Sequence, residues 1–277
     1  MIQDFLQYDF LRNALYAGIL IGLVAPLLGV FVVIRRLSLI ADALSHVTLS
    51  GIAASLLLEK TVFPGGFLNP LYMGMAFSIG GALLIERLRN VYKHYQELAV
   101  PIILSAGIGL GVIFISLANG FNTDLFNYLF GSVSAVSGSD LLVVAGIAVL
   151  VLAVTLLLYK ELFLLSFDEE YASATGLRAK WIHFVFIVLV ALVIAASMRV
   201  VGILLVSSLM TLPVAASIRI ARGFKQTVLF AVLFGELAVV GGLMLSYQLD
   251  LAPGGTIVMI SVLVLIGAIL WKKKKTA

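Results

Sequence analysis

Apolar residues fill this chain in long runs separated by short polar stretches. Nine such runs stand at Ala14–Ile34, Leu39–Leu58, Leu71–Ile85, Val100–Leu117, Leu141–Leu158, Trp181–Ser197, Val200–Ile218, Thr227–Leu245 and Gly255–Trp271. A helix crossing the roughly 30 Å hydrocarbon core of a bilayer needs about 20 apolar residues, and the runs have about that length, the third and sixth being short. Spanning segments of this kind must be helical, because an open strand would leave its backbone groups without partners in lipid. The pattern therefore predicts an all-α polytopic membrane protein with about nine transmembrane helices. The stretch Phe121–Ser139 is not counted as a tenth, because a span there would spoil the alternation of charged loops; its part Leu125–Gly131 predicts a short re-entrant or interfacial helix.

Charge adds an orientation. If the loop after the first run is cytoplasmic and the spans alternate, 15 of the 18 Lys and Arg residues fall on the cytoplasmic side, leaving only Arg12, Lys60 and Arg199 outside. One alternation that satisfies every loop predicts an outside N-terminus and a cytoplasmic C-terminus, with Lys272–Lys275 as an anchor at the inner surface. Composition agrees with a membrane chain: 62% of the 277 residues are hydrophobic and 12% charged, against about a quarter charged in soluble domains. Met1–Arg12 has no basic region leading into a short apolar run and cleavage site, so no removable signal peptide is expected. The absence of cysteine excludes disulfides and thiolate metal sites. A net charge of +4 gives no reason to expect nucleic acid as a partner.

Proline and glycine mark the ends and contacts of the spans. Pro70, Pro101 and Pro253 stand where helices should start, and Pro26 and Pro213 lie inside spans that they should kink. The stretch Gly202–Pro213 also carries several hydroxyls, a composition seen where broken helices line transport sites. Gly18/Gly22 and Gly107/Gly111 have the spacing of close helix–helix contacts. Gly107–Gly111 follows no strand and is not a phosphate loop, and no GxxxxGK[ST] occurs, so this chain does not bind ATP through a P-loop.

The unusual polar face lies just beyond Arg35 and Arg36. Asp42, His46 and Ser50 are spaced i, i+4, i+8 at the start of the second span. A charged group inside a membrane costs about 2.5–3.5 kcal/mol on insertion scales, so this stripe needs a reason. Carboxylate and neutral imidazole are ordinary ligands of zinc, manganese or iron. Two such ligands fall short of a closed four-ligand site, which points to a shared site between two copies or to completion by other polar groups. The competing reading pairs Asp42 with Arg35 or Arg36 and gives His46 an interhelical hydrogen bond. Ser38, Ser45 and Ser50 can each be satisfied by their own backbone. Glu236, the other mid-span acid, either lines the path, pairs with Arg199, or is a protonated structural group. His94 and His183 fall at the cytoplasmic edge and read as interfacial.

The loop Tyr159–Lys180 holds a further signal. Ser166–Phe167–Asp168–Glu169 has the form of a capping box, with Ser166 as the cap and Glu169 reaching back. Gly176 supplies the stop. A helix of about two turns at residues 166–177 results, too short and acidic to span, and suited to tying spans together or docking a cytoplasmic partner.

Several of these stretches resemble one family, the permease subunits of zinc, manganese and iron ABC importers. Phe31–Gly51 carries its RRLSL-x-x-DALSH-x-x-L-x-G pattern, Asp168–Gly176 resembles its coupling helix, and Val201–Ala215 and Ser246–Val258 also match. The sequence HVTLSG, with Ser50 where the manganese branch tends to have proline, is closer to the zinc branch. The resemblance implies one transmembrane permease domain over residues 1–277, of the type II importer fold similar to the vitamin B12 permease. It implies a second copy of the chain, two cytoplasmic ATPase subunits, and an extracytoplasmic protein that delivers the metal. Asp42 and His46, with Ser50 and Glu236 as further candidates, would form the metal pathway. Asp168, Glu169, Glu170, Tyr171, Ala172 and Gly176 would form the ATPase contact. No cofactor would be held permanently; zinc, or manganese or iron, would be cargo in a prokaryotic plasma membrane. A proton-coupled secondary carrier is the first rival reading. An intramembrane enzyme is the second, and it lacks an HExxH motif or a Ser/His/Asp set.

Overall fold

A computed structural model describes residues 7–62, 69–118, 120 and 123–276. Every regular element among them is helical. In chain order these are α1 (Asp9–Ile34), α2 (Ser38–Thr61), α3 (Pro70–Val91), α4 (Ala99–Leu117), α5 (Thr123–Phe130), α6 (Gly138–Leu157), α7 (Tyr159–Phe167), α8 (Glu169–Ala174), α9 (Ala179–Val201), α10 (Ile203–Ile220), α11 (Phe224–Leu249) and α12 (Pro253–Thr276), with one 3-10 turn, Gln96–Leu98, before α4. Eight of the helices described are long and apolar enough to cross a membrane, and α10, whose apolar run is Leu205–Ile220, is the shorter ninth. The span boundaries follow the hydrophobic runs, with one exception. The division expected between Ser197 and Val200 lies at Gly202, and Arg199 is inside α9.

The helices form one bundle with α1, α2 and α9 at its centre. α1 packs against α11, α10, α6 and α9; α2 packs against α4, α3, α10 and α9; α12 covers α11 and α10. The outer helices turn apolar side chains outward, including Leu142, Val149 and Leu156 of α6 and Met259, Leu263 and Leu270 of α12. That is what lipid, which is as apolar as leucine, permits. The glycine pairs work as contacts. A Cβ on Gly107 would fall 2.9 Å from Cγ2 and 3.0 Å from the backbone N of Val47, so α4 lies directly on α2.

Two junctions set the geometry of the bundle ends. At one, Leu37 N–H donates to Val32 O (2.8 Å) and Arg36 N–H to Val33 O (3.0 Å), with Arg36 at φ +57°. This is a Schellman closure with arginine in the position usually held by glycine, so α2 starts at a defined place beside the end of α1. At the other, Gly202 (φ +86°) separates α9 from α10, and a Cβ there would fall 2.5 Å from the carbonyl carbon of Phe130 at the end of α5. The short helix expected within Phe121–Ser139 is α5, of eight residues, packed on α9, α10 and α12. Phe121 and Asn122 lie outside the described residues.

The capping expectation needs correction. Ser166 lies inside α7, its hydroxyl donating to Leu162 O (2.6 Å). Asp168 caps α8 instead, its Oδ1 accepting from Tyr171 N–H (2.8 Å). The reason is packing: Leu162 and Leu165 are buried, which keeps α7 helical through Phe167. A capping box does exist at the start of α6, where Ser137 and Asp140 satisfy each other's backbone N–H groups. Gly176, at φ +85°, ends the short helix as expected.

Candidate functional site

α2 presents a different neighbour on each side. Val47 and Ser50 face Gly107 and Gly111 of α4, while Gly51 meets Met73 and Phe77 of α3 and Thr48 and Ile52 meet Gly74. The remaining stripe, which includes Asp42, His46 and Leu49, is half-buried. At 1.5 Å per residue Asp42 lies about 6 Å and His46 about 12 Å into the helix from Ser38. Among the described residues neither side chain has a hydrogen-bond or ion-pair partner. A carboxylate and an imidazole one turn apart, both open on one side and both unsatisfied, are therefore available to something outside the single chain. The described residues hold no group of three or more His, Asp or Glu that could bind a metal within one chain.

The pairing of Asp42 with Arg35 does not occur. Arg35 is engaged by His183 instead, Nη2 to Nδ1 at 2.7 Å. His183 is accordingly buried within the bundle, 4% exposed, whereas His94 is exposed. Ser50 is buried and turned toward α4, its hydroxyl donating to Val47 O (2.7 Å), because eight residues at 100° each rotate it well past the Asp42 direction. Ser45 and Thr48 are likewise bonded to carbonyls four residues back. On α10, which packs against α2, Ser207, Ser208 and Thr211 are half-buried, and the Thr211 hydroxyl donates to Ser207 O at 3.0 Å.

Glu236 stands apart from this stripe. It lies on α11 against α1, where a Cβ on Gly22 would come 3.2 Å from its carboxyl carbon, and its Oε1 is buried without a partner. It does not pair with Arg199. Arg199 bonds Asp140 of α6, the Ala135 carbonyl (3.2 Å) and the Tyr128 hydroxyl of α5 (2.8 Å). No local sequence signal announces that cluster, since its members are brought together only by the fold.

The short helix α8 is the exposed counterpart of the buried stripe. Asp168, Glu169, Glu170, Tyr171 and Gly176 are exposed, and Ala172 alone is fully buried, pinning the helix to the bundle. α8 packs against α7 and α9, so it is fixed to the helices that precede and follow it.

Comparison with known proteins places this geometry. The model of the ABC 3 transport family matches residues 7–272. A "probable metal transport system membrane protein" of Treponema pallidum is 39% identical over 260 residues, covering 94% of each chain. The manganese transport system membrane protein MntC of Listeria monocytogenes is 32% identical over 274 residues, 99% of this chain and 95% of that one. Among solved structures, PsaBC of Streptococcus pneumoniae in complex with Fab superposes with a TM-score of 0.84 at 30% identity, over 96% of this chain and 93% of that chain.

Proposed function

The chain belongs to the ABC 3 transport family of importer permeases, and on that premise we propose that it is the membrane permease of an ATP-driven importer carrying manganese into the cytoplasm. The observation that carries the reading is the half-open stripe of α2, where Asp42 and His46 face outward from an otherwise packed apolar helix without a protein partner. Two copies of the chain meeting along α2 and α10 would join two carboxylates and two imidazoles around one ion. Asp42 and His46 are two ligands, and among the described residues no group of three or more lies within one chain, so sharing would supply the rest of the shell.

Manganese replaces the zinc expected from Ser50. MntC of Listeria monocytogenes and ScaB of Streptococcus gordonii are named for manganese, and Ser50 does not face the stripe. Two carboxylates and two imidazoles serve manganese as well as zinc, so the choice of ion rests on the named relatives. The permease performs no covalent chemistry. Two ATPase subunits would dock on the exposed α8, and a metal-binding protein would deliver the ion at the opposite face. The charge pattern supports an outside N-terminus and a cytoplasmic C-terminus in a prokaryotic plasma membrane.

The test is uptake of manganese and of zinc by vesicles containing the chain with its ATPase and binding protein. ATP-dependent manganese uptake that resists equimolar zinc is the expected result. Zinc uptake indifferent to manganese would keep the permease and reverse the ion. Uptake that survives ATP depletion and collapses with the proton gradient would favour a secondary carrier instead.

A further inference from the structure

A half-buried polar hub around the buried His183 joins the start of α9, five residues after α8, to the start of α2. Arg35 stands at the α1–α2 closure, seven residues before Asp42. Its Nη2 lies 2.7 Å from Nδ1 of His183 on α9, and its guanidinium covers the Phe186 ring at 5.5 Å. The other ring nitrogen of His183 lies 3.3 Å from Glu86 Oε2 on α3. Arg89, also on α3, closes on that nitrogen and reaches Gln96 Oε1 at 3.2 Å. Burial disfavours the charge on Arg35, and the carboxylate of Glu169, in the first turn of α8, is the strongest electrostatic influence restoring it.

Donor and acceptor rules exclude the doubly protonated imidazole. A guanidinium has no acceptor, so a ring nitrogen bonded to Arg35 or to Arg89 must be the acceptor. The ring is then neutral, and the tautomer that accepts from Arg35 at Nδ1 turns its Nε2 proton toward Glu86 Oε2, 3.3 Å away. Arg89 also reaches Gln96 and lies 3.8 Å from the Glu86 carboxylate. A protonated ring would set N–H against the Arg35 donors and break the contact. The hub therefore depends on hydrogen-bond chemistry at His183 and not only on its volume.

We propose that His183 is a positioning residue that transmits displacement of α8 to α2 through its bond to Arg35. α9 begins five residues after α8 ends, so movement of α8 pulls on the helix turn that carries His183. The bond to Arg35 passes that movement to the point from which α2 carries Asp42 and His46. The inference rests on the reading that α8 receives the ATPase.

The experiment uses the complete transporter and reads ions transported per ATP hydrolysed. His183→Leu keeps the apolar bulk and removes both bonds; ATP hydrolysis continues and ions carried per ATP fall about tenfold, the factor one hydrogen bond to a charged group is worth. His183→Gln, whose amide can accept from Arg35 and donate to Glu86, restores the ratio. Arg35→Met removes the same bond from the other side, and the double variant is no worse than either single one. Wild-type coupling in His183→Leu, a His183→Gln as defective as His183→Leu, or additive losses in the double variant would each overturn the proposal. If His183→Leu does not assemble, His183→Gln and Arg35→Met decide: coupling retained by the first and lost by the second supports the proposal, and any other result overturns it. A wild-type complex without ATP-dependent uptake would indict the permease reading itself.

Discussion

Arg199 and Asp140 form an ion pair between α9 and α6 that also holds α5 in place, because the same guanidinium binds the Tyr128 hydroxyl (2.8 Å) and the Ala135 carbonyl (3.2 Å). Asp140 is 2% exposed. Removing one partner strands a buried charge, which typically costs about 3–5 kcal/mol. Arg199→Met is therefore expected to lower the thermal stability of the purified protein sharply. Adding Asp140→Asn should recover part of the loss, because the stranded charge is gone. Unfolding temperatures of the two variants that fall equally would count against this account.

A second prediction concerns the α9–α10 break. Gly202 has φ +86° and no room for a side chain, with the Phe130 carbonyl carbon 2.5 Å from where a Cβ would stand. Gly202→Ala combines left-handed strain of about 1–2 kcal/mol with a backbone clash that must push α5 away. Gly138, which has open space around its Cβ position, is the control. Thermal unfolding of Gly202→Ala should fall well below that of Gly138→Ala; equal values would mean that the α5 contact is loose.

These two sites show where sequence reading stops. The spans were legible because long apolar runs in lipid have only one economical structure. Arg199 was misplaced into a loop because an arginine beside apolar residues suggests a boundary, and its neutralising partner, Asp140, is 59 residues away. The Ser166–Glu169 signal was real in kind but one cap out of place, since the burial of Leu162 and Leu165 that prolongs α7 is a tertiary fact. Within the stripe, Asp42 and His46 were readable from spacing. Ser50 was not, because 100° per residue accumulates to a different face after two turns. The hub at His183 left no local trace, its members coming from the α1–α2 closure, α3 and α9.

The stripe makes a direct prediction. His46→Ala and Asp42→Ala remove side chains that have no hydrogen-bond or ion-pair partner among the described residues, so neither should disturb folding or assembly. On the proposed pathway both should abolish manganese uptake, because each copy would then supply only one of the two proposed ligands. Uptake assays paired with size-exclusion profiles separate the two effects. Normal uptake by His46→Ala would remove that residue from the pathway. Asp42→Asn, which keeps an oxygen donor but loses the charge, should retain weaker uptake than wild type.

Glu236 gives the opposite expectation. It is the acid that sequence alone could not separate from the pathway, yet it lies on α11 against Gly22 of α1, while α2 packs against α4, α3, α10 and α9. Its Oε1 is buried and has no partner. An ionised carboxylate in such a place would carry a desolvation cost with nothing to offset it. A neutral group that fills space between two helices needs its shape and not its charge. Glu236→Gln keeps that shape, so manganese uptake within about twofold of wild type is expected, the difference being under about 0.5 kcal/mol. Glu236→Ala opens a space beside Gly22 and should lower the unfolding temperature. If Glu236→Gln instead loses uptake while remaining assembled, the charge itself is used, and a second ion or proton step on α11 would have to be added to the mechanism.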